Sequence, residues 1–209
     1  MSVMLHPRVL ELMASRICHD LVSPVGAVAN GVELMEELGA DAADEAVQLI
    51  ATSASQASAR LKCFRLAYGA AGTDKNIGLR EVVDAFTGWI QAGRVKAEFE
   101  EGLAVKFSMS PRGFFKCLLN LMILAEDCNR GEGKIFVSAL PGNAGVAVLL
   151  TGAHVGFRDG AEAALAGSVS PEDVDPRSVH AYITGRFIEH FGLKVKFQSQ
   201  ADLGRLQLS

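Results

Sequence analysis

The sequence predicts an α+β protein in two parts, an N-terminal helical hairpin followed by an α/β sandwich. Three observations support this division. Residues 7–71 carry apolar residues at steps of three and four, which is typical of long helices. Residues 76–209 alternate short β-prone runs with helical segments, and glycine and polar residues join the two parts at 72–76. We therefore expect domains at 1–72 and 73–209.

The first helix is predicted to begin at Pro7, a favourable first-turn residue, and to stop at Gly39. Pro24 lies inside it and removes one backbone donor, so we expect a local kink there. One apolar stripe follows the helix: Leu10, Ala14, Ile17, Leu21, Pro24 or Val25, Val28, Val32, Met35 and Leu38.

The second helix is predicted from about Asp41 to Gly69, with a seam of coiled-coil type: Val47, Ile50, Ala54, Ala57, Leu61, Phe64 and Tyr68. A single pair of such helices does not cover its own apolar faces. Two copies do so as a four-helix bundle, which predicts a homodimer. The alternative is that the hairpin packs on the second half of the same chain.

The second half is predicted to place helices on one face of a mixed sheet. The predicted helices cover residues 79–92, 111–130 and 178–192, with Pro111 in the first turn of the second. The predicted strands are 95–100, 104–110, 134–140, 145–152, 193–199 and 205–209, and those at 134–140 and 145–152 form a hairpin. A loop is expected over 152–176.

Composition and charge narrow the classes of function. The chain has 209 residues, is 49% hydrophobic and carries a net charge of −4, which provides no basic surface for nucleic acid. No apolar run approaches the ~20 residues that a membrane span needs, and the N-terminus carries charge. We expect a cytoplasmic protein that binds neither nucleic acid nor membrane. The four cysteines lack CxxC spacing, which favours free, buried or partly buried thiols.

His19 is the strongest candidate for chemistry. It lies two residues from both Ile17 and Leu21, about 200° around the helix from each, so its imidazole faces solvent or a partner. A neutral, exposed imidazole can accept a phosphoryl group, and the carboxylate of Asp20 can hold the proton of the other ring nitrogen. Small or polar residues share this helix face and predict a docking surface: Ser15, Arg16, Ser23 and Gly26.

Other titratable residues are weaker candidates. His180 and His190 lie ten positions apart on one predicted helix and cannot share a metal, so we interpret both as surface or boundary histidines. Glu126 and Asp127 diverge by about 100° on their helix and are interpreted as a solvated face.

The segment around His19 resembles the phosphoacceptor box of histidine kinases, H-[DE]-L-x-x-P, with His19, Asp20, Leu21 and Pro24 in register. The helical hairpin and the α+β domain also follow the order of the dimerisation and ATP-binding domains of those kinases. The stretch RICHDLVSPVGAVANGVELM resembles the ChpT-type histidine phosphotransferases of alphaproteobacterial cell-cycle phosphorelays more closely.

Departures from the kinase pattern separate these two families. In the magnesium-binding helix N-L-x-x-N-A, Asn120 is kept, but Leu124 replaces the second asparagine and has no oxygen to offer a hard cation. Thr151 or a neighbour stands for the adenine-binding aspartate of D-x-G-x-G, and DPRSVHAYI replaces the glycine-rich lid. The second half is thus expected to be a degenerate ATP-binding fold.

The resemblance implies a homodimeric histidine phosphotransferase without a cofactor, using magnesium supplied by its partner receiver domains. The donor would be the receiver of a CckA-type hybrid histidine kinase, and the acceptors would be CtrA-like and CpdR-like response regulators. Two alternatives stay open: a fragment of an ATP-dependent sensor histidine kinase, and a non-catalytic dimeric scaffold that binds receivers.

Overall fold

The N-terminal part of the chain is an antiparallel pair of long helices. The computed structural model describes residues 6–38, 43–74, 77–130, 132–200 and 202–209. Helix α1 spans Pro7–Leu38 and helix α2 spans Ala43–Ala67. The predicted start at Pro7 is confirmed, whereas Gly39 and Asp41 lie outside the described residues. Helix α1 runs without interruption through Pro24, which is buried, and the kink expected there stays a prediction.

The two helices approach closely at Gly31 of α1. This residue is buried against α2, where a Cβ atom at position 31 would lie only 2.6 Å from Cγ1 of Ile50. A larger residue would push the helices apart. Glycine therefore sets the spacing of the hairpin.

The second part is built of short helices and one five-stranded sheet, which confirms the predicted α+β class. Its helices are α3 (Leu79–Ile90), α4 (Leu103–Lys106), α5 (Phe114–Cys128), α6 (Ala161–Leu165) and α7 (Val179–His190). Its strands are β1 (Arg94–Phe99), β2 (Glu132–Ala139), β3 (Val146–Thr151), β4 (Val195–Gln200) and β5 (Leu203–Leu208).

The sheet is mixed, with strand order β1-β2-β3-β5-β4. Strand β1 is parallel to β2, and the other neighbours are antiparallel. Strands β2 and β3 form the predicted hairpin. One face of the sheet is fully buried where it carries Ile135, Val137, Val148, Leu150 and Leu206, since the helices cover it.

The strand predicted at 104–110 is wrong. Its alternating pattern would place Val105, Phe107 and Met109 on one buried face. The structure instead has helix α4 and a turn, in which Leu103 and Phe107 are buried four residues apart while Val105 and Met109 are 79% and 94% exposed. A run this short is compatible with the apolar spacing of a strand and with that of a helix. The burial of Leu103 favours the helix.

Two other boundaries differ from the prediction. Helix α5 begins at Phe114 rather than at Pro111, because Gly113 adopts a φ of 80° and the ring of Phe191 lies against it. A Cβ atom on Gly113 would lie 2.3 Å from Cγ of Phe191. The predicted loop at 152–176 contains helix α6 and a 3-10 turn at Pro171–Asp173.

The hairpin packs partly on the second half of the same chain, and the predicted homodimer stays a prediction. Val9, Met13, Cys63 and Phe64 belong to the same hydrophobic core as the α/β part, as the alternative expected. Several members of the predicted apolar stripe and seam are nevertheless exposed in the single chain. These are Leu10 at 57%, Val25 at 56%, Val32 at 45%, Met35 at 39%, Val47 at 52% and Leu61 at 55%.

Within the described part of the chain, no helix combines the length and apolar character required to cross a membrane. All four cysteines are free; Cys63, Cys117 and Cys128 are buried as predicted, but Cys18 is exposed.

Candidate active site around His19

His19 projects from the first half of α1 with its side chain 88% exposed. Its neighbour Asp20 is turned toward the body of the protein and is only 19% exposed. Nδ1 of His19 lies 3.3 Å from Oδ1 of Asp20. The carboxylate therefore faces one ring nitrogen, and Nε2 is on the open side of the imidazole.

This geometry gives the imidazole the properties of a nucleophile. In the tautomer that donates Nδ1–H to the Asp20 carboxylate, Nε2 carries a free lone pair. Because the ring is exposed, a phosphorus atom held by another protein can approach Nε2 in line with its leaving group.

A groove of about 420 Å³ opens beside His19. The N-terminal half of α1 forms one wall of the groove. Asp127 of α5, Arg158 and Arg177 come from the second half of the chain, the last two from the segment between β3 and α7. Sequence reasoning missed Arg158 and Arg177, because no motif marks them and only the fold brings them to α1.

The predicted docking residues are not equivalent. Ser15, Ser23 and Gly26 are exposed, and Ser15 lines the groove. The side chain of Arg16 is only 17% exposed, and its Nη2 donates to Oδ2 of Asp127 at 3.0 Å. Arg16 therefore ties α1 to the second half of the chain.

The interpretation of Glu126 and Asp127 as a solvated face is wrong. The Asp127 side chain is 24% exposed and is paired with Arg16. Burial, followed by the charge of Asp127, raises the pKa of Glu126. Both residues lie at the contact between the halves, a position that helical periodicity alone does not reveal.

Val22 is an apolar residue on the His19 side of α1 that sequence reasoning also missed. It is 68% exposed and follows His19 by three residues, about one helical turn. A docked protein would meet this side chain together with the imidazole.

His180 is not a surface or boundary residue, as was expected, but is 1% exposed in the core. Its Nε2 donates to the carbonyl of Asn120 at 3.0 Å, and Nδ1 accepts from the Tyr68 hydroxyl at 2.9 Å. Both polar ring atoms are satisfied, which permits burial. Burial lowers the pKa of His180 to about 4.

Asn120, which is kept from the magnesium-binding helix of kinases, is hydrogen-bonded through its amide nitrogen, while its Oδ1 is buried with no hydrogen-bond partner among the described residues. Nδ2 of Asn120 donates to the carbonyls of Ala67 and Lys116, at 2.8 Å and 2.9 Å. Nζ of Lys116 donates to the carbonyl of Gly69 at 2.7 Å, and burial lowers the pKa of this amine to about 8. This face of α5 thus holds the end of α2, where the last carbonyls of a helix need donors.

The chain is similar to known phosphotransferases along nearly its whole length. Residues 79–203 match the family of histidine phosphotransferase C-terminal domains. Protein phosphotransferase ChpT of Brucella abortus (strain 2308) is 34% identical over 206 residues, covering 91% of this chain and 90% of that protein. A solved structure of a bacterial phosphotransferase superimposes with a TM-score of 0.76 at 27% identity, covering 99% of this chain and 98% of the other.

Proposed function

The chain belongs to the histidine phosphotransferase family, and from this premise we propose that it shuttles a phosphoryl group between the aspartates of receiver domains through phospho-His19. The observation that carries the proposal is the exposed imidazole of His19 with Asp20 at Nδ1.

Transfer takes place in two displacements. Nε2 of His19 attacks the phosphorus of an aspartyl phosphate, the N–P bond forms, and the P–O bond breaks as the donor carboxylate leaves with the electron pair. In the second step a carboxylate oxygen of the acceptor attacks the phosphorus, a P–O bond forms, and the N–P bond breaks as Nε2 recovers its lone pair. The Nδ1 proton stays beside Asp20 throughout, so the chain contributes positioning and tautomer control.

The surroundings of His19 suit an acidic partner. A receiver presents its phosphorylatable aspartate in an acidic pocket that binds magnesium, and this chain has the guanidinium groups of Arg158 and Arg177 beside the groove. The partners we propose are the receiver of a CckA-type hybrid histidine kinase as donor and CtrA-like and CpdR-like response regulators as acceptors, all in the cytoplasm.

A homodimer would present two copies of this site. The exposed stripe of Val25, Val32, Met35 and Val47 supports a four-helix bundle, because apolar patches of this kind mark protein interfaces.

We further propose that the chain does not bind ATP. Leu124 is 3% exposed and apolar where a kinase has its second asparagine, and the Asn120 amide donates to Ala67 and Lys116. Magnesium for the reaction would come from the receiver.

Reconstitution of the relay tests this function. A phosphorylated donor receiver, this protein and an unphosphorylated acceptor are mixed without ATP, and label on the acceptor is followed with wild type and His19→Ala. We expect rapid transfer with wild type and none with His19→Ala, while dimer mass and receiver affinity persist. Transfer that continues with His19→Ala would support the scaffold alternative, and labelling of His19 by ATP alone would support the kinase alternative.

A further inference from the structure

The five-stranded sheet has a second face, here called the outer face, which points away from the helices. Side chains alternate between the two faces of a strand, so the outer face carries the residues between the buried ones. Lys96 of β1, Lys134 of β2 and Lys196 of β4 belong to it, and all three are exposed. The hairpin packs on α3, α5 and α7. The outer face therefore lies on the side of the sheet away from His19.

Positive charge is concentrated on the outer face. Its cationic side chains are Arg94, Lys96, Lys134, Lys194, Lys196 and Arg205, where Lys194 continues the β4 ladder through backbone bonds to Ser209. Against these six stand two carboxylates, Glu98 and Glu132. The whole chain has 20 lysine and arginine residues and 24 aspartate and glutamate residues. The outer face thus carries a formal charge of +4 and leaves −8 for the rest of the chain.

The net charge of the sequence conceals this asymmetry, because the six cations come from four strand regions that only the fold brings together. Of the six, Arg94 alone forms an ion pair among the described residues, with its Nη2 3.4 Å from Oε2 of Glu132. Lys96 and Lys134 are direct neighbours in the register of β1 and β2. Like charges at such positions repel each other, and carboxylates supplied by a partner would relieve this repulsion.

Apolar side chains occupy the middle of the outer face. Phe136 of β2 pairs in register with Leu149 of β3, and Leu203 of β5 lies diagonally next to Leu149. Phe136 is 37% exposed and Leu203 is 59% exposed. An apolar centre inside a charged rim is the typical arrangement of a protein–protein interface.

We propose that the outer face docks a partner protein that presents an acidic amphipathic helix. A helix is the element that covers the face of a sheet. Five strands place the axes of the two edge strands about 19 Å apart, and a helix is about 10 Å wide. A helix above β3 would rest its apolar stripe on Phe136, Leu149 and Leu203. Glutamates on its two flanks would reach Lys96 on one side and Lys196 on the other.

The carboxylates of the outer face favour a helix over a polyanion. Glu98 is the direct neighbour of Phe136 in the register of β1 and β2, near the centre of the face. It would repel the phosphates of a nucleic acid or of a lipid surface, whereas a helix can place a basic residue opposite it. Phe136 is also the one aromatic side chain among the described residues of this face, and single-stranded nucleic acid stacks on several.

This inference goes beyond the proposed function. A protein bound to the outer face leaves the groove beside His19 open, because the helices of the second half lie between the sheet and the hairpin. The partner would hold the phosphotransferase at a site while receivers exchange phosphate with it.

The test uses the full-length protein and a fluorescent synthetic peptide that forms a helix with a leucine stripe and glutamates on both flanks. Fluorescence anisotropy measures its affinity for wild type, for Lys96→Glu combined with Lys134→Glu, and for Phe136→Thr. We expect saturable binding to wild type that weakens as salt is added. Both variants should weaken binding at least about tenfold, because one reverses the charge and the other removes the apolar centre.

Matched controls separate the outer face from charge in general. Lys62→Glu combined with Arg112→Glu changes the net charge equally at exposed positions outside the sheet, and it should leave peptide affinity within about twofold of wild type. A peptide of the same composition with its leucines dispersed should bind at least about tenfold more weakly. Melting temperature reports folding, and transfer through His19 should keep its wild-type rate in every variant.

Equal affinity of wild type and Lys96→Glu with Lys134→Glu for the peptide, or no binding to wild type, would overturn the proposal. Vesicles of phosphatidylglycerol or a single-stranded oligonucleotide that bind through Lys96 and Lys134 where the peptide does not would assign the face to a polyanion and refute the helix. Slower transfer in the variants would assign the face to receiver docking and also refute it. Failure of wild-type protein to accept phosphate would overturn the relay and leave peptide binding unaffected.

Discussion

Two histidines of this chain lie on amphipathic helices and have opposite chemical environments. The side chain of His19 is 88% exposed with a carboxylate at Nδ1, whereas His180 is 1% exposed and bonded to a hydroxyl and a carbonyl. The exposure of the His19 side chain was predicted correctly, because His19 is offset from the apolar stripe of α1. His180 is buried because Tyr68, just after α2, and Asn120 of α5 satisfy its ring nitrogens. Both residues are distant from it in sequence, so a local pattern does not reveal them.

The buried state of His180 makes stability depend on pH. Its pKa is about 4 in the folded protein against 6.5 as the reference value, so the unfolded chain binds a proton first as the pH falls. The contribution of His180 to the free energy of unfolding is therefore fully present above pH 6.5. It is lost between pH 6.5 and about 4, which lowers the free energy of unfolding by up to about 3 kcal/mol.

Urea unfolding at a series of pH values measures this contribution. His180→Gln should flatten the loss between pH 6.5 and 4, whereas His190→Gln, at an exposed position on the same helix, should leave the slope unchanged. An equal slope in wild type and His180→Gln would show that another group controls the acid sensitivity.

Cysteine reactivity is a second prediction at the residue scale. Burial raises the pKa of Cys63, Cys117 and Cys128 to about 12, while Cys18 is exposed on α1. A thiol reagent should therefore modify one thiol per chain under native conditions and four after unfolding. Cys18→Ser should abolish the native reaction; more than one reactive thiol in wild type would contradict the described core.

At the scale of elements, long periodic segments were predictable and short ones were not. The 32 residues of α1 and the hairpin of β2 and β3 have periodic patterns long enough to define their type. Helix α4 has four residues, and its contact through Leu103 decides its conformation. The start of α5 depends on the ring of Phe191, which packs against Gly113. Phe191 lies 78 residues after Gly113, so no local sequence pattern reveals this contact.

The exposed stripe on the hairpin predicts where dimerisation can be broken. Val25→Glu places a charge in the proposed seam on both subunits, and we expect the dimer dissociation constant to rise about hundredfold, equivalent to about 2.8 kcal/mol. Sedimentation equilibrium measures this constant.

A matched variant exists on the same helix. Val22 is 68% exposed, against 56% for Val25, but it lies on the side of His19. Val22→Glu should keep the dimer and weaken receiver binding. If both variants dimerise as wild type does, the stripe is not the dimer interface.

At the scale of the whole molecule, the two halves form one unit around a shared core. The family was predictable from the sequence around His19. The connections between the halves were not predictable, because Arg16 with Asp127 and Asn120 with Ala67 join residues that are 111 and 53 positions apart.

These connections predict the nucleotide behaviour of the protein. Calorimetric titration with ATP and magnesium should give no saturable binding, because Leu124 offers no oxygen ligand and Asn120 holds the end of α2. Leu124→Asn alone should not restore binding. Saturable binding to wild type would contradict this prediction and favour the kinase alternative.

The most direct test of the account is the chemical identity of the phosphorylated residue. The protein is incubated with a receiver carrying labelled aspartyl phosphate, without ATP, and the label it retains is tested for stability in acid and base and located by mass spectrometry. The account predicts acid-labile, base-stable phosphate on His19, absent from His19→Ala. Label on another residue, or label that persists in His19→Ala, would contradict it.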